Sequence, residues 1–133
     1  LRDPWMHLKV VHKLNKNRDL RIIASVPNFF HHENFRELSW LRFTYEEWGV
    51  MDFTHLRFFG LHDIYSLFTL TGFQIDEKMT KRAVDPEGAR IYEKFKQYGA
   101  FSIGDGPIKM NIATLDEASQ CAAYQFILSA RRV

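Results

Sequence analysis

The pattern of apolar and polar residues predicts a helix at the start of the chain. Asp3 followed by Pro4 supplies a helix N-cap and a first-turn proline. Apolar residues then recur at helical spacing, at Trp5, Leu8, Val11 and Leu14. We therefore expect residues 4–15 to form an amphipathic helix.

A short apolar run at residues 20–26 follows a polar turn at residues 15–19. Such a run is typical of a strand that is buried on both faces. A helix followed by a buried strand indicates an α/β layer. Residues 29–60 mix aromatic and charged residues without a sustained period, and we expect an irregular segment with a short helix around residues 33–38.

Regular patterns return after this segment. Asp63 is a plausible helix cap, and Gly72 stands where a left-handed C-terminal cap belongs. The next strand begins at Phe73 and continues to Met79, in a pattern that favours extended structure.

The last third of the chain predicts further elements. Asp85 and Pro86 signal a helix that closes at Gly99. We expect residues 100–114 to form a loop with a short strand near residues 109–112, and residues 115–121 to form one or two helical turns. Residues 123–130 have the character of a final strand.

Composition narrows the class of protein. The chain has 133 residues, 46% of them hydrophobic, which is enough for one core and predicts a single domain over residues 1–133. The net charge is +2 and the basic residues are scattered, so we expect no nucleic-acid partner. Cys121 is the only cysteine, which excludes an intramolecular disulfide and favours a reducing, cytoplasmic location. No apolar stretch is long enough for a membrane span, and no charged-then-apolar leader is present.

Four short strings carry a resemblance to a known family. They are "LRDPW" before a helix, "SVPNFFHH" at the end of a strand, and "GVMDFTHLRFF" ahead of a helix that ends in "TGF". Together they resemble the C-terminal half of class I S-adenosylmethionine-dependent methyltransferases, and most closely the bacterial group often found beside glycosyltransferases. The resemblance covers residues 1–80 and, more loosely, the terminal strand. Its most specific part is residues 52–59.

The resemblance implies a fold class: α/β, as a partial Rossmann-like methyltransferase fold. Residues 20–26, 73–79 and 123–130 would be the fifth, sixth and seventh strands of the family's sheet. The implied unit is a three-stranded mixed sheet with flanking helices, in which the last strand is antiparallel and lies in the middle.

The resemblance also implies what lies outside the chain. In such enzymes the cofactor binds a glycine-rich turn after the first strand and an acidic residue after the second. Both would lie upstream of Leu1, and Gly99, Gly104 and Gly106 do not follow a predicted strand. We expect S-adenosylmethionine as cofactor of the complete enzyme, and no cofactor binding by this segment alone.

Polar residues follow the first predicted strand. Ligands of open α/β sheets bind beyond the carboxyl ends of the strands, so Asn28, His31 and His32 are expected to face the methyl acceptor. Either histidine is a candidate general base, because its ordinary pKa lies near neutrality. The alternative is structural: Asn28 caps the turn after Pro27, and the histidines are ordinary surface residues.

A second polar cluster, Asp52, His55 and Arg57, is a candidate for acceptor binding. No serine or cysteine nucleophile accompanies it, so acyl-transfer chemistry is not expected. A pairing of Asp52 with Arg57 or His55 that fixes the loop is the structural alternative. The adjacent pair of histidines and the absence of a His-x-x-x-His motif give no metal-ligand spacing, so we expect no metal site.

The function expected from these observations is methyl transfer to a small molecule or a glycan, with this chain providing the acceptor side and remaining inactive alone. A non-catalytic interaction module built on the same fold is the alternative. Without a fourth strand, the edge at residues 20–26 would be exposed, which predicts a homodimer through that edge or its cover by residues 29–60.

Overall fold

A three-stranded sheet is the centre of the structure. The computed structural model describes residues 1–82 and 86–133. In chain order the elements are α1 (Pro4–Leu14), β1 (Arg21–Pro27), α2 (His32–Ser39), α3 (Leu61–Leu70), β2 (Phe73–Arg82), α4 (Pro86–Tyr98), β3 (Phe101–Ile103), β4 (Met110–Ile112), α5 (Leu115–Ala122) and β5 (Ala123–Arg132).

The strand order is β1-β5-β2, and β5 pairs antiparallel with both neighbours. The predicted position and direction of the last strand are therefore confirmed. The description of the sheet as mixed is wrong, because each hydrogen-bonded pair of strands is antiparallel. The two outer strands do run in the same direction, but β5 separates them.

The expectation that the first strand is buried on both faces is also wrong. Arg21, Ile23 and Ser25 are exposed, whereas Ile22 and Ala24 are partly buried. The reason is that β1 is an outer strand whose helices cover one face, and Ile23 on the other face is 76% exposed. A continuous apolar run does not distinguish this arrangement from full burial.

The main core lies between the inner face of the sheet and helices α1 and α3. Its buried members include Leu8 of α1, Ile64 and Phe68 of α3, and Phe126 and Leu128 of β5. Each large side chain buried in this way contributes roughly 1.5–3 kcal/mol to folding. A second, smaller core joins α4, α5 and the β3–β4 hairpin, with Ile91, Ile112, Ala118 and Cys121 as its buried members.

The helix ends show which local sequence signals correctly predict where a helix begins or ends. The Asp3 side chain accepts a hydrogen bond from the Met6 backbone N–H at 2.9 Å, which confirms it as the N-cap of α1. The expectation that Asp63 caps α3 is wrong. The helix starts after Gly60, and the Asp63 carboxylate accepts from the Gly60 N–H at 3.1 Å as the third helical residue. Gly72 has a φ of +90°, as expected for a residue that ends a helix in the left-handed conformation.

The remaining predictions of elements are confirmed with small shifts. The short helix predicted around residues 33–38 is α2, and residues 115–121 belong to α5. The helix signalled by Pro86 is α4, while Asp85 lies outside the described residues. The strand near residues 109–112 is β4; its partner β3 was not predicted. No helix in the described ranges is long and apolar enough to cross a membrane.

The β3–β4 loop is fixed to the end of α2 by a very close approach of two backbones. A Cβ atom added to Gly106 would overlap the Ser39 carbonyl oxygen, and that oxygen accepts a hydrogen bond from the Ile108 N–H at 3.1 Å. The Gly106 N–H also donates to Ser39 Oγ at 3.3 Å. Only glycine fits at this contact.

Gly106→Ala should therefore lower the free energy of unfolding by about 1–3 kcal/mol, the usual cost of overpacking a tight site. Chemical denaturation measures the change. The matched control is Asp105→Ala at the exposed neighbouring residue, which should change stability by no more than about 0.5 kcal/mol. Equal stabilities of the Gly106 variant and the control would contradict this account of the contact.

Candidate functional site

Asn28 stands at the point where β1 ends, and its side chain holds three segments together. The amide Nδ2 donates to the carbonyl oxygens of Gln120 and Ala123, at 2.7 Å each, while Oδ1 accepts from the Phe30 N–H at 3.1 Å. The residue is 1% exposed. Both N–H groups of the amide thus donate to backbone carbonyls. This geometry agrees with the structural alternative, in which Asn28 fixes the turn after Pro27.

His31 and His32 follow Asn28, and their rings pack against each other with centroids 4.2 Å apart. His31 is fully buried; its ring makes an edge contact with the Tyr124 ring, with centroids 5.4 Å apart. His31 Nδ1 lies 3.7 Å from Glu33 Oε2. His32 begins α2 and lines a separate cavity between α2 and α4. The base role of either histidine stays a prediction, and His31 can reach a ligand only through its neighbours.

A groove of about 590 Å³ opens beside His31, at the carboxyl end of β1. Its walls are α2, residues 42–51 and the side chain of Tyr124 from β5. Four glutamates and two arginines line it, which gives a negative balance. The glutamates are Glu33, Glu37, Glu46 and Glu47. We call this cavity the acidic groove.

Tyr124 forms the floor of the acidic groove. A Cβ atom added to Gly49 would lie 3.7 Å from the Tyr124 hydroxyl, which places that oxygen against the groove's loop wall. Burial raises the pKa of Tyr124, and the negative charges of Glu33, Asp52 and Glu46 raise it further. The hydroxyl is therefore protonated at neutral pH, where it can both donate and accept a hydrogen bond.

The loop wall is a closed turn with an aromatic tip. The Glu46 N–H donates to the Met51 carbonyl at 2.9 Å, and the Phe53 N–H donates to the Glu46 carbonyl at 3.1 Å. Gly49 takes a φ of +95° within the turn. Trp48 next to it is 76% exposed at the rim of the acidic groove. An indole ring in this position is available to stack on a ligand.

Packed aromatic rings support the loop from behind. Their centroids lie 5.4–6.3 Å apart, in edge-on, tilted and stacked arrangements that aromatic pairs prefer. The rings belong to Phe29, Phe30, Phe43, Tyr45, Phe53 and Phe58. The phenylalanines of residues 29–60 therefore support the loop that forms one wall of the acidic groove.

The second predicted cluster does not line the acidic groove. Asp52 accepts a hydrogen bond from the Thr54 N–H at 2.6 Å, and His55 Nδ1 lies 2.9 Å from the Val50 carbonyl. Arg57 donates to the Leu56 carbonyl at 2.8 Å, and no ion pair between Asp52 and Arg57 forms within the described ranges. His55 and Arg57 instead line an apolar groove between α1 and β1.

The six predicted site residues thus do not form one site. Asn28, His31 and His32 are buried where β1 ends, Asp52 bonds within its own loop, and His55 and Arg57 line the apolar groove. No local pattern points to Tyr124, because this residue reaches the site from the last strand. Among the residues that the structure describes, no group of three or more His, Cys, Asp or Glu side chains is arranged to hold a metal ion.

No family model matches the chain, and no curated protein matches it.

Asp52 should make the loop's stability depend on pH. Hydrogen bonds from the Thr54 side chain and backbone, together with the charge of His55, lower the pKa of Asp52. A lowered pKa in the folded state means that the stabilisation is present above the ordinary carboxyl pKa of about 3.9 and is lost as the pH falls through the lowered value.

Asp52→Asn should therefore be less stable than the wild type at neutral pH, and the difference should shrink as the pH falls below about 4. Thermal denaturation across this pH range measures the difference. Asp105→Asn, at an exposed aspartate of the β3–β4 loop, is the control and should give no such trend. A difference that grows on acidification would have the wrong sign for this assignment.

Proposed function

We propose that this chain forms the acceptor-binding side of a class I S-adenosylmethionine-dependent methyltransferase that acts on a small molecule or a glycan. The observation that supports the proposal most is the strand order. The resemblance of the sequence implies a last strand that is antiparallel and inserted between the other two, and β5 lies between β1 and β2 in this way.

The methyl donor requires residues outside this chain. Gly104 and Gly106 cannot form its glycine-rich turn, because a Cβ atom at either position would collide with the backbone of Ile108 or Ser39. These glycines are packed against protein, whereas a ligand-binding turn must leave its backbone accessible. The residues present do not fit the cofactor, and the proposal therefore assigns this chain only the acceptor.

The acidic groove is the acceptor site in this proposal. It opens at the carboxyl end of β1, where ligands of open α/β sheets bind. Its excess of glutamates over arginines disfavours a phosphorylated or carboxylated acceptor, because like charges repel in a partly desolvated cavity. A neutral or cationic acceptor, with a hydroxyl or an amine as the nucleophile, fits the lining.

In this proposal the chain's residues orient the methyl acceptor and remove its proton. Trp48 offers a stacking surface, and the Tyr124 hydroxyl offers a hydrogen bond to the acceptor. Glu33 lies in the groove wall, and His31 Nδ1 is 3.7 Å from its Oε2, so in this scheme Glu33 takes the acceptor's proton and the neighbouring imidazole limits where the carboxylate can lie. His31 is a positioning residue in this scheme.

The alternative, a non-catalytic interaction module, is favoured by a different observation. The apolar groove beside β1 is lined mainly by hydrocarbon and contains no carboxylate. Exposed apolar surface of this kind is typical of a protein contact.

The enzyme proposal is tested in the longer polypeptide that supplies a cofactor-binding half. Glu33→Gln should lower the turnover of methyl transfer at least tenfold, with a smaller effect on KM, because a general base acts in the transition state. The turnover is measured as the transfer of a labelled methyl group to neutral and cationic acceptors. Glu47→Gln, on the loop wall of the same groove, is the matched control and should retain turnover. Equal losses in both variants, or an encoded polypeptide without a glycine-rich turn upstream, would contradict the proposal.

The 133-residue chain alone should not bind S-adenosylmethionine. A ligand at a hundred times its dissociation constant stabilises a fold by about 2.7 kcal/mol, which for a domain of this size raises the melting temperature by several degrees. Thermal melts over a series of cofactor concentrations should show no shift. A saturable increase would reveal a cofactor site within these residues and would overturn the assignment of the chain to the acceptor side.

A further inference from the structure

The charges that line the acidic groove do not balance one another. Arg42 Nη1 lies 3.9 Å from Glu37 Oε2, so these two side chains form a pair with no net charge. The remaining charged side chains of the lining are one arginine and three glutamates: Arg36, Glu33, Glu46 and Glu47. Within the described ranges, none of these three glutamates forms an ion pair with a lysine or an arginine. The groove therefore keeps an excess of negative charge.

Gly49 leaves a space open between a carboxylate and a hydroxyl group in this groove. A Cβ atom added to Gly49 would lie 3.7 Å from the Tyr124 hydroxyl oxygen and 3.9 Å from Glu46 Oε2. A ligand atom at that point would therefore be in ordinary contact with both oxygens. The φ of +95° at Gly49 disfavours any side chain there. We call the space between Gly49, the Tyr124 hydroxyl and the Glu46 carboxylate the cradle.

The negative charges converge on the cradle from two segments of the chain. Burial raises the pKa of Tyr124, and the carboxylates of Glu33, Asp52 and Glu46 raise it further. Glu33 belongs to α2, whereas Glu46 and Asp52 are joined by a β-bridge in the loop that follows it. Anions that disfavour a negative charge on the hydroxyl favour a positive charge beside it for the same reason.

The aromatic lining determines which kind of cation fits. Trp48 precedes Gly49 and is 76% exposed at the rim, where the face of its ring can attract a cation within about 6 Å. Phe43 is a further aromatic residue of the lining. A metal ion such as Ca²⁺ requires several oxygen ligands at once, and the described residues contain no group of side chains arranged for one. A cation that carries hydrocarbon suits this surface better.

We propose that the cradle binds the ammonium group of an organic cation, with the Glu46 carboxylate as its counter-ion and the Trp48 indole against its hydrocarbon. The groove volume of about 590 Å³ accommodates a molecule much larger than the ammonium group itself.

The identification of this cation as the methyl acceptor rests on the proposed function. An ammonium nitrogen has no lone pair, so it cannot itself receive a methyl group. The acceptor is then a molecule that carries an ammonium group in the cradle and its nucleophile at a second position, where Glu33 acts as the base. This narrows the acceptor from a neutral or cationic molecule to a cationic one.

A titration with choline tests the cradle, because choline has a neutral counterpart of the same shape in which a carbon atom replaces the nitrogen. In nuclear magnetic resonance spectra of the isotopically labelled 133-residue chain, choline should cause saturable shifts of the Gly49 backbone N–H and the Trp48 indole N–H. The neutral counterpart should bind at least about tenfold more weakly, because it has no charge for the carboxylates to attract.

Two substitutions test the assigned contacts. Glu46→Gln should weaken choline binding about threefold or more, since the counter-charge is lost. Trp48→Ala should weaken it about two- to fivefold, the contribution of an exposed cation–π contact. The matched controls are Glu77→Gln, on an exposed part of β2, and Trp40→Ala, whose side chain is 50% exposed outside the groove lining. Both controls should bind choline like the wild type, and cooperative thermal melts confirm that each variant is folded.

The outcomes separate this proposal from the proposed function, because the titration contains no methyl donor. Absence of saturable shifts, equal binding of choline and its neutral counterpart, or equal losses in Glu46→Gln and Glu77→Gln would overturn the cradle. If the longer polypeptide methylates neutral acceptors while choline does not bind, the cation site is wrong and the proposed function stands. If choline binds as described but no methyl transfer occurs in the longer polypeptide, the cradle stands and the proposed function is wrong.

Discussion

The arrangement of the chain depends on the two hydrogen bonds that the Asn28 amide donates to the carbonyls of Gln120 and Ala123. These bonds join the end of β1 to the junction of α5 and β5, some 90 residues later. The amide is buried, so a variant without it would leave two carbonyls desolvated, at a cost of about 1–3 kcal/mol each. The position of Tyr124, one residue into β5, is a direct consequence of this link. The acidic groove therefore depends on the hydrogen bonds that hold the end of β1 to the start of β5.

Elements with strong local signals were predictable from the sequence. The helical spacing of Leu8 and Val11 and the left-handed position of Gly72 needed no tertiary information. Asp63 was misplaced because an aspartate is favourable both at the N-cap and at the third helical residue, and Gly60 has no side chain to signal the true start. The strand at residues 20–26 was found, but its burial was not, since the number of layers above a strand is a property of the whole fold.

The candidate site was less predictable than the fold, for a geometric reason. Polar residues beyond the end of β1 were expected to face a ligand, yet the rings of His31 and His32 are buried against each other, with centroids 4.2 Å apart. The acidic groove combines α2, residues 42–51 and Tyr124, and contacts of such long range leave no spacing pattern in the sequence.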